Sequence, residues 1–132
     1  MKSSIKLVLL LTCLPAVVHA EALEERLGSY QEKGVASFDP DRGQAIWQQE
    51  IMHAKSGKSR SCGDCHGDDL TKPGKHLKTG KVIEPMALSV NFQRLKDGKK
   101  IEKWFKRNCK WTWGRACTAQ EKGDILSYLQ QL

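Results

Sequence analysis

An all-α fold is predicted by three features of the chain. Apolar residues recur at helical spacing after Asp39-Pro40 and again after Gly98. A capping box, Thr118-Ala-Gln-Glu121, precedes a third such run. No stretch shows a strand pattern that competes with these.

The first segment is a targeting signal rather than a structural element. Lys2 and Lys6 form a short basic stretch, and Leu7 to Val18 is an apolar run broken by Thr12, Cys13 and Pro15. Val18-His19-Ala20 then offers small-residue cleavage before Glu21. This is the layout of a secretory signal peptide, residues 1–20, cleaved after Ala20, and the run is too short for a comfortable membrane span. A lipoprotein reading through Cys13 is weakened by Thr12, which stands where a small Gly or Ala is needed. The expected product is a periplasmic domain, residues 21–132. Its 112 residues allow only a modest core, which a rigid and largely apolar cofactor would enlarge.

The elements follow in order. Glu21 to Gly34 is polar, with Leu23, Leu27 and Tyr30 at helical spacing, and reads as a short helix or arm. Asp39 can cap a helix and Pro40 suits its first turn, so a helix is expected from about Pro40 to Met52. Gly43, Trp47 and Ile51 share one face of it. Ser56 to Ser61 reads as a polar loop. Thr71 to Lys81, rich in Lys and Gly, is a second loop. Val82 to Val90 contains Pro85 and reads as an irregular segment against a cofactor. A helix is expected over Gly98 to Arg107 with Ile101, Trp104 and Phe105 on one side. The last helix starts at Thr118 and runs through Ile125, Leu126, Tyr128 and Leu129.

Between the first loop and the second stands Cys62-Gly-Asp-Cys65-His66, the C-x-x-C-H pattern of covalent haem attachment. Two thiols add across the two vinyl groups of haem, and two intervening residues let both sulfurs reach one edge of the ring. The imidazole that follows then falls under the iron. A C-x-x-C alone could also be a redox disulfide or half of a zinc site. The first wants a thioredoxin-like βαβ context, which the chain lacks. The second wants another ligand pair, and Cys109 with Cys117 fits that spacing poorly. One motif implies one haem c, bonded to Cys62 and Cys65 with His66 on its iron. Cys13 leaves with the leader, so Cys109 and Cys117 remain in an oxidising compartment and are expected to form a disulfide.

The second axial position decides the function, because a Met ligand suits an electron shuttle and an open position admits a gas. The side-chain candidates are Met52, Met86, His53, His76 and Asn108. Met52 and His53 precede the motif, and His76 reads as a solvent histidine in a Lys/Gly loop. Met86 follows His66 by twenty residues, early for a distal ligand, and suits packing on the ring. Asn108 follows by forty-two, beside Cys109, at the expected end of a helix. A bridge from Cys109 to Cys117 closes a short loop, worth roughly 2–3 kcal/mol in the chain-entropy model, and would steady the backbone at Asn108. Spacing alone leaves the choice open.

Charge narrows the partners. Loss of Lys2 and Lys6 with the leader lowers the formal charge from +7 to +5, with basic residues dense from Lys72 to Lys110. Export argues against nucleic acid, and a basic face that docks an acidic redox partner stands beside a merely solvated one.

Gly43 one turn before Trp47, with Tyr128 on the last helix, resembles the class I cytochrome c fold, whose terminal helices cross next to haem. Two further stretches, Trp104-Phe-Lys-Arg-Asn-Cys109 and Gly114-Arg-Ala-Cys117-Thr-Ala-Gln-Glu-Lys122, resemble the SHP family of monohaem cytochromes c. Gly80-Lys-Val-Ile-Glu-Pro85 and Ser89-Val-Asn91 share the likeness, which with the haem motif covers most of residues 43 to 132. The resemblance implies Asn108 as distal ligand and a Cys109–Cys117 disulfide. It also implies release of Asn108 on reduction, binding of O2 or NO, and electron delivery from a dihaem cytochrome c and a membrane cytochrome b. A plain carrier ligated by Met86 is the rival. An enzyme reducing O2 or a nitrogen oxide ranks below both, since no His or acid is placed to deliver protons distally. The aromatic segment Lys110-Trp-Thr-Trp113 has no functional account from sequence.

Overall fold

The computed structural model describes residues 21–132; the expected leader, 1–20, lies outside the described residues. The chain forms α1 (Glu21–Gln31), α2 (Pro40–Gln48), β1 (Ile51–Met52), β2 (Ser59–Arg60) and the single turn α3 (Gly63–His66). It continues through β3 (Gly74–Lys75), β4 (Val82–Ile83), α4 (Gly98–Trp113) and α5 (Ala119–Gln130). The strands are two residues long and form two antiparallel hairpins, β1 with β2 and β3 with β4, so the fold remains all-α. Among the described residues no helix is long and apolar enough to cross a membrane.

Each long helix after α1 begins where its cap dictates. The Asp39 carboxylate accepts from the N–H groups of Asp41 and Arg42, with Pro40 in the first turn. Asp97 accepts from the Lys100 N–H, and Thr118 and Glu121 complete the expected capping box. Each such cap contributes about 1 kcal/mol.

Two helices end away from their sequence-based limits. α2 stops at Gln48 rather than running to Met52, because Gln49 turns extended and Ile51 and Met52 pair with Arg60 and Ser59. α4 continues two turns beyond Arg107 to Trp113 and ends on Gly114 in the left-handed conformation at φ +75°. Asn108 is therefore inside a helix. The extension survives because Cys109, Thr112 and Trp113 are buried there, and burial outweighs the modest helix propensities of Trp and Thr.

α2 packs across α5, and Gly43 sets the approach. A Cβ on Gly43 would lie 2.0 Å from the Asp124 carbonyl oxygen and 2.9 Å from Cβ of Tyr128. The Asp124 side chain is fully buried at the same crossing. It accepts from Arg42 Nε (2.5 Å), Arg42 Nη2 (2.8 Å), the Asp39 backbone N–H (2.8 Å) and Gln120 (3.0 Å). A buried carboxylate needs such a complete set of donors. One turn on, Trp47 meets Tyr128 edge-on at 6.4 Å between ring centroids. Trp47, Leu70, Ala87, Cys109, Trp113, Ile125 and Leu129 belong to one core cluster. α1 closes a second with Leu23, Leu27, Tyr30, Ile101 and Leu126, and the Tyr30 hydroxyl donates to Glu102, which also pairs with Lys122 at 2.7 Å.

Gly43→Ala is expected to cost roughly 1–3 kcal/mol by overpacking the crossing. Asp124→Ala is expected to cost roughly 2–4 kcal/mol by stranding its donors. Both are read as a lower midpoint in urea unfolding of the holoprotein; an unchanged midpoint would show that the crossing does not carry that stability.

Candidate haem site

The β1–β2 hairpin delivers the chain to Ser61, where the haem motif begins. The Ser61 N–H donates to Asp64 Oδ2 at 2.9 Å, and the Asp64 N–H donates to Ser61 Oγ at 3.2 Å. This reciprocal pair starts a turn from which His66 N–H reaches the Cys62 carbonyl at 3.2 Å. The Cys62 N–H donates to the Trp47 carbonyl at 3.1 Å, which anchors the turn to the end of α2. On the other side β3 passes directly against it, since a Cβ on Gly74 would lie 2.2 Å from the Cys65 carbonyl oxygen. Cys62, Cys65 and His66 thus leave one short helical turn. Asp64 does local capping work there, and its signal in the sequence is the S-x-x-D spacing from Ser61.

Burial sets the chemistry of these groups. It pushes the Cys62 thiol up to about 12, with Asp64 and Cys65 adding to the shift. It lowers His66 to about 4, helped by the charge of Arg94. His66 is therefore neutral at pH 7, the form in which an imidazole ligates a metal. Its ring lies 5.1 Å from that of Trp47. Arg94 is held by the carbonyls of Glu84 (2.6 Å) and Pro85 (3.0 Å), and Asn91 also donates to Pro85. These bonds order the irregular segment that follows β4.

The distal candidates are spread over several elements. Met52 is 70% exposed on β1. Met86 packs half-buried against the core around Trp47 and Leu70. His53 has both nitrogens engaged, Nδ1 accepting from the Lys55 N–H and Nε2 facing the Lys110 carbonyl at 3.2 Å. His76 is no free solvent histidine: its Nδ1 accepts from Lys78 and Thr79, and its ring packs on Trp111 at 5.2 Å. Asn108 is exposed, and its amide makes no hydrogen bond to a described residue. It shares a helical stripe with Trp104 and Trp111. The next residue, Cys109, turns inward and is bonded to Cys117 with 5.7 Å between Cα atoms.

α4 is tied to the hairpin that carries the motif. His53 reaches the Lys110 carbonyl, and Arg60 Nη1 donates to the Trp111 carbonyl at 2.7 Å while its guanidinium lies 4.2 Å over the Trp111 ring. The aromatic segment left unexplained by sequence therefore has a structural role. Trp111 is gripped by Arg60 and His76, and Trp113 fills the core. One set of contacts holds both Asn108 and Cys62 in place.

The residues fit a haem. Cys62 and Cys65 are free thiols, while Cys109 and Cys117 are consumed by each other and cannot complete a zinc site. The indole nitrogens of Trp47 and Trp113 are buried with no acceptor among the described residues. A buried indole N–H ordinarily finds one, and carboxylates on a porphyrin are acceptors of the required kind. Val82, Val90, Phe92 and Trp104 add exposed apolar surface of the sort a porphyrin covers.

Comparison with known proteins agrees. Residues 33–129 match a family described as a domain of unknown function (DUF1924). The chain is 36% identical over 115 residues to the cytochrome c-type protein SHP of Cereibacter sphaeroides, across 87% of this chain and 88% of that protein. The chain belongs to the SHP family of cytochromes c. The structure of oxidised SHP, an oxygen-binding cytochrome c, superposes with a TM-score of 0.76 at 35% identity, covering 83% of this chain and 96% of that one. Cytochrome c'' of Methylophilus methylotrophus is 38% identical over 74 residues, 56% of this chain and 51% of that protein. Its oxidised crystal structure gives a TM-score of 0.73 at 26% identity, over 84% and 94% of the two chains. Like its SHP relatives, the protein is a cytochrome c with a single haem c, and membership places it among cytochromes rather than enzymes.

With Cys62→Ala and Cys65→Ala combined, no haem should survive acid–acetone extraction of the denatured protein. Each single variant should keep a weaker link through the remaining cysteine. Haem retained by the double variant would place attachment elsewhere.

Proposed function

We propose that this is an exported, redox-gated haem protein, with residues 1–20 as a leader cleaved after Ala20 and 21–132 as its one haem domain. Cys62 and Cys65 carry the haem, and His66 is the proximal ligand. Asn108 is the distal ligand of the oxidised state. The supporting observation is the amide of Asn108, which has no hydrogen-bond partner among the described residues and is exposed on a helix that is bridged at the next residue and tied to the motif hairpin. An amide oxygen is a weak donor to iron and holds the more Lewis-acidic ferric ion better than the ferrous one. With haem bound, Asn108 would be released on reduction, and the vacated position would be open to O2 or NO. When bound, the haem supplies one-electron chemistry and ferrous affinity for diatomic gases.

The relatives support this in two ways. SHP is described as an oxygen-binding cytochrome c, and a solution structure of cytochrome c'' concerns haem-ligand detachment. That structure aligns with a TM-score of 0.75 at 26% identity, over 86% of this chain and 95% of that one. A dihaem cytochrome c and a membrane cytochrome b are the electron donors we assign. Met86 packs half-buried against the core and follows His66 by only twenty residues, early for a distal ligand, so the gated reading is preferred to a Met-ligated carrier.

Asn108→Ala should turn the ferric iron high-spin or water-bound and leave the ferrous spectrum and ferrous gas affinity nearly unchanged. Azide and cyanide should then bind the ferric protein roughly tenfold or more tightly, because an internal competitor lowers apparent affinity only where it is bound. Absorption spectra with ligand titrations read both. Met86→Ala should preserve ligation in both states. If it instead converts the ferrous protein from six- to five-coordinate, Met86 is a ligand and the protein is a carrier.

A further inference from the structure

Beside the residues assigned to the haem the structure holds a basic surface. A cleft of about 430 Å³ opens between the β1–β2 hairpin and the outer side of α4, lined by His53, Arg60, Lys106, Arg107, Lys110 and Trp111. Four of the six are cations. Among the described residues none of the four forms an ion pair with a carboxylate. Arg60 is fixed by the Trp111 carbonyl and ring, and its other guanidinium donors have no partner among the described residues. Arg107 lies over the Trp104 ring at 5.1 Å, so a second guanidinium is braced by an aromatic. Concentrating unpaired cations costs self-repulsion, and an anionic surface laid on them relieves it.

We infer that this cleft is the docking site for an acidic electron-donating protein, whose carboxylates sit on Arg60, Lys106, Arg107 and Lys110 around Trp111. The inference rests on the reading that the haem is reduced by a protein donor. The cleft is open to solvent, which suits a protein face better than a small enclosed anion. Its position also fits. Arg60 is two residues from Cys62, and Lys106 and Arg107 immediately precede Asn108, so a partner seated there lies against both elements assigned to the haem. The step transfers one electron: the donor is oxidised, the ferric iron is reduced, and no bond in the cleft is made or broken.

The test uses the ferric holoprotein and the acidic FMN protein flavodoxin, in its hydroquinone form, as donor in stopped-flow measurements. Lys106→Glu with Lys110→Glu reverses charge inside the cleft. Lys99→Glu with Lys100→Glu makes the same change at the other end of α4. At low salt the cleft pair should slow electron transfer roughly tenfold or more, and the control pair far less. The difference should vanish by about 0.5 M salt, where screening acts within a few ångströms. Reduction by neutral lumiflavin semiquinone and the ferric and ferrous spectra should not change.

Equal slowing by the two pairs, or none by either, overturns the docking site. So does saturable one-to-one binding of inorganic phosphate that the cleft pair abolishes while the flavodoxin rate stays put, which would mark a small-anion site. Failure of Asn108 as ligand would appear in the spectra and leave this charge dependence intact, so the two readings fail separately.

Discussion

The approach of α2 to α5 at Gly43 is the constraint on which the rest of the structure depends. With no side chain at Gly43 the two backbones come close enough for Asp124 to be sealed inside, and sealing it commits Arg42, Gln120 and the Asp39 N–H to that carboxylate. The crossing fixes where α2 ends. Trp47 then stands beneath His66, and the Trp47 carbonyl receives the N–H of Cys62. The haem motif is thus positioned by a packing contact that lies nineteen residues earlier in the chain, from Gly43 to Cys62. A buried carboxylate is a costly way to join two helices. Its four donors come from three different places, however, and this geometry defines one relative rotation of the helices.

α4 is the second support. Its first turns bury Ile101 beside α1, and its last turns are bound sideways to the β1–β2 hairpin through Lys110 and Trp111. The hairpin is too short to persist alone. Its stability is borrowed from the helix, while the helix's last two turns depend on the hairpin and on the disulfide. The two elements are mutually dependent, and the residues assigned to the two faces of the iron lie on either side of their junction.

Much of this was legible in the sequence. Asp39-Pro40 and Thr118-x-x-Glu121 are local signals, and the helices start where those residues place them. The C-x-x-C-H spacing is likewise local, and so is the cysteine count that paired Cys109 with Cys117. What could not be read depends on contacts between distant segments. Trp111, Thr112 and Trp113 are weak helix formers, and they are helical because Arg60, His76 and the core hold them. The αL glycine at 114 was the available sign that the helix continued. Asp124 looks like an ordinary polar residue in its helix until Gly43 brings a second helix over it. Asn108 could be singled out only through family resemblance, since a ligand's identity depends on where a helix passes, and spacing along the chain does not reveal that.

The disulfide beside Asn108 bears on how quickly a gate built there could act. Because Cys109 is buried and covalently joined to the start of α5, the helix end cannot swing away as a unit. The freedom left to Asn108 is rotation about its own side-chain bonds, and exposed side chains exchange rotamers in picoseconds to nanoseconds. Under the proposed gating, access of a gas to the iron would then be limited by the lifetime of an iron–amide bond, with no slow rearrangement of the fold interposed between electron arrival and an open position.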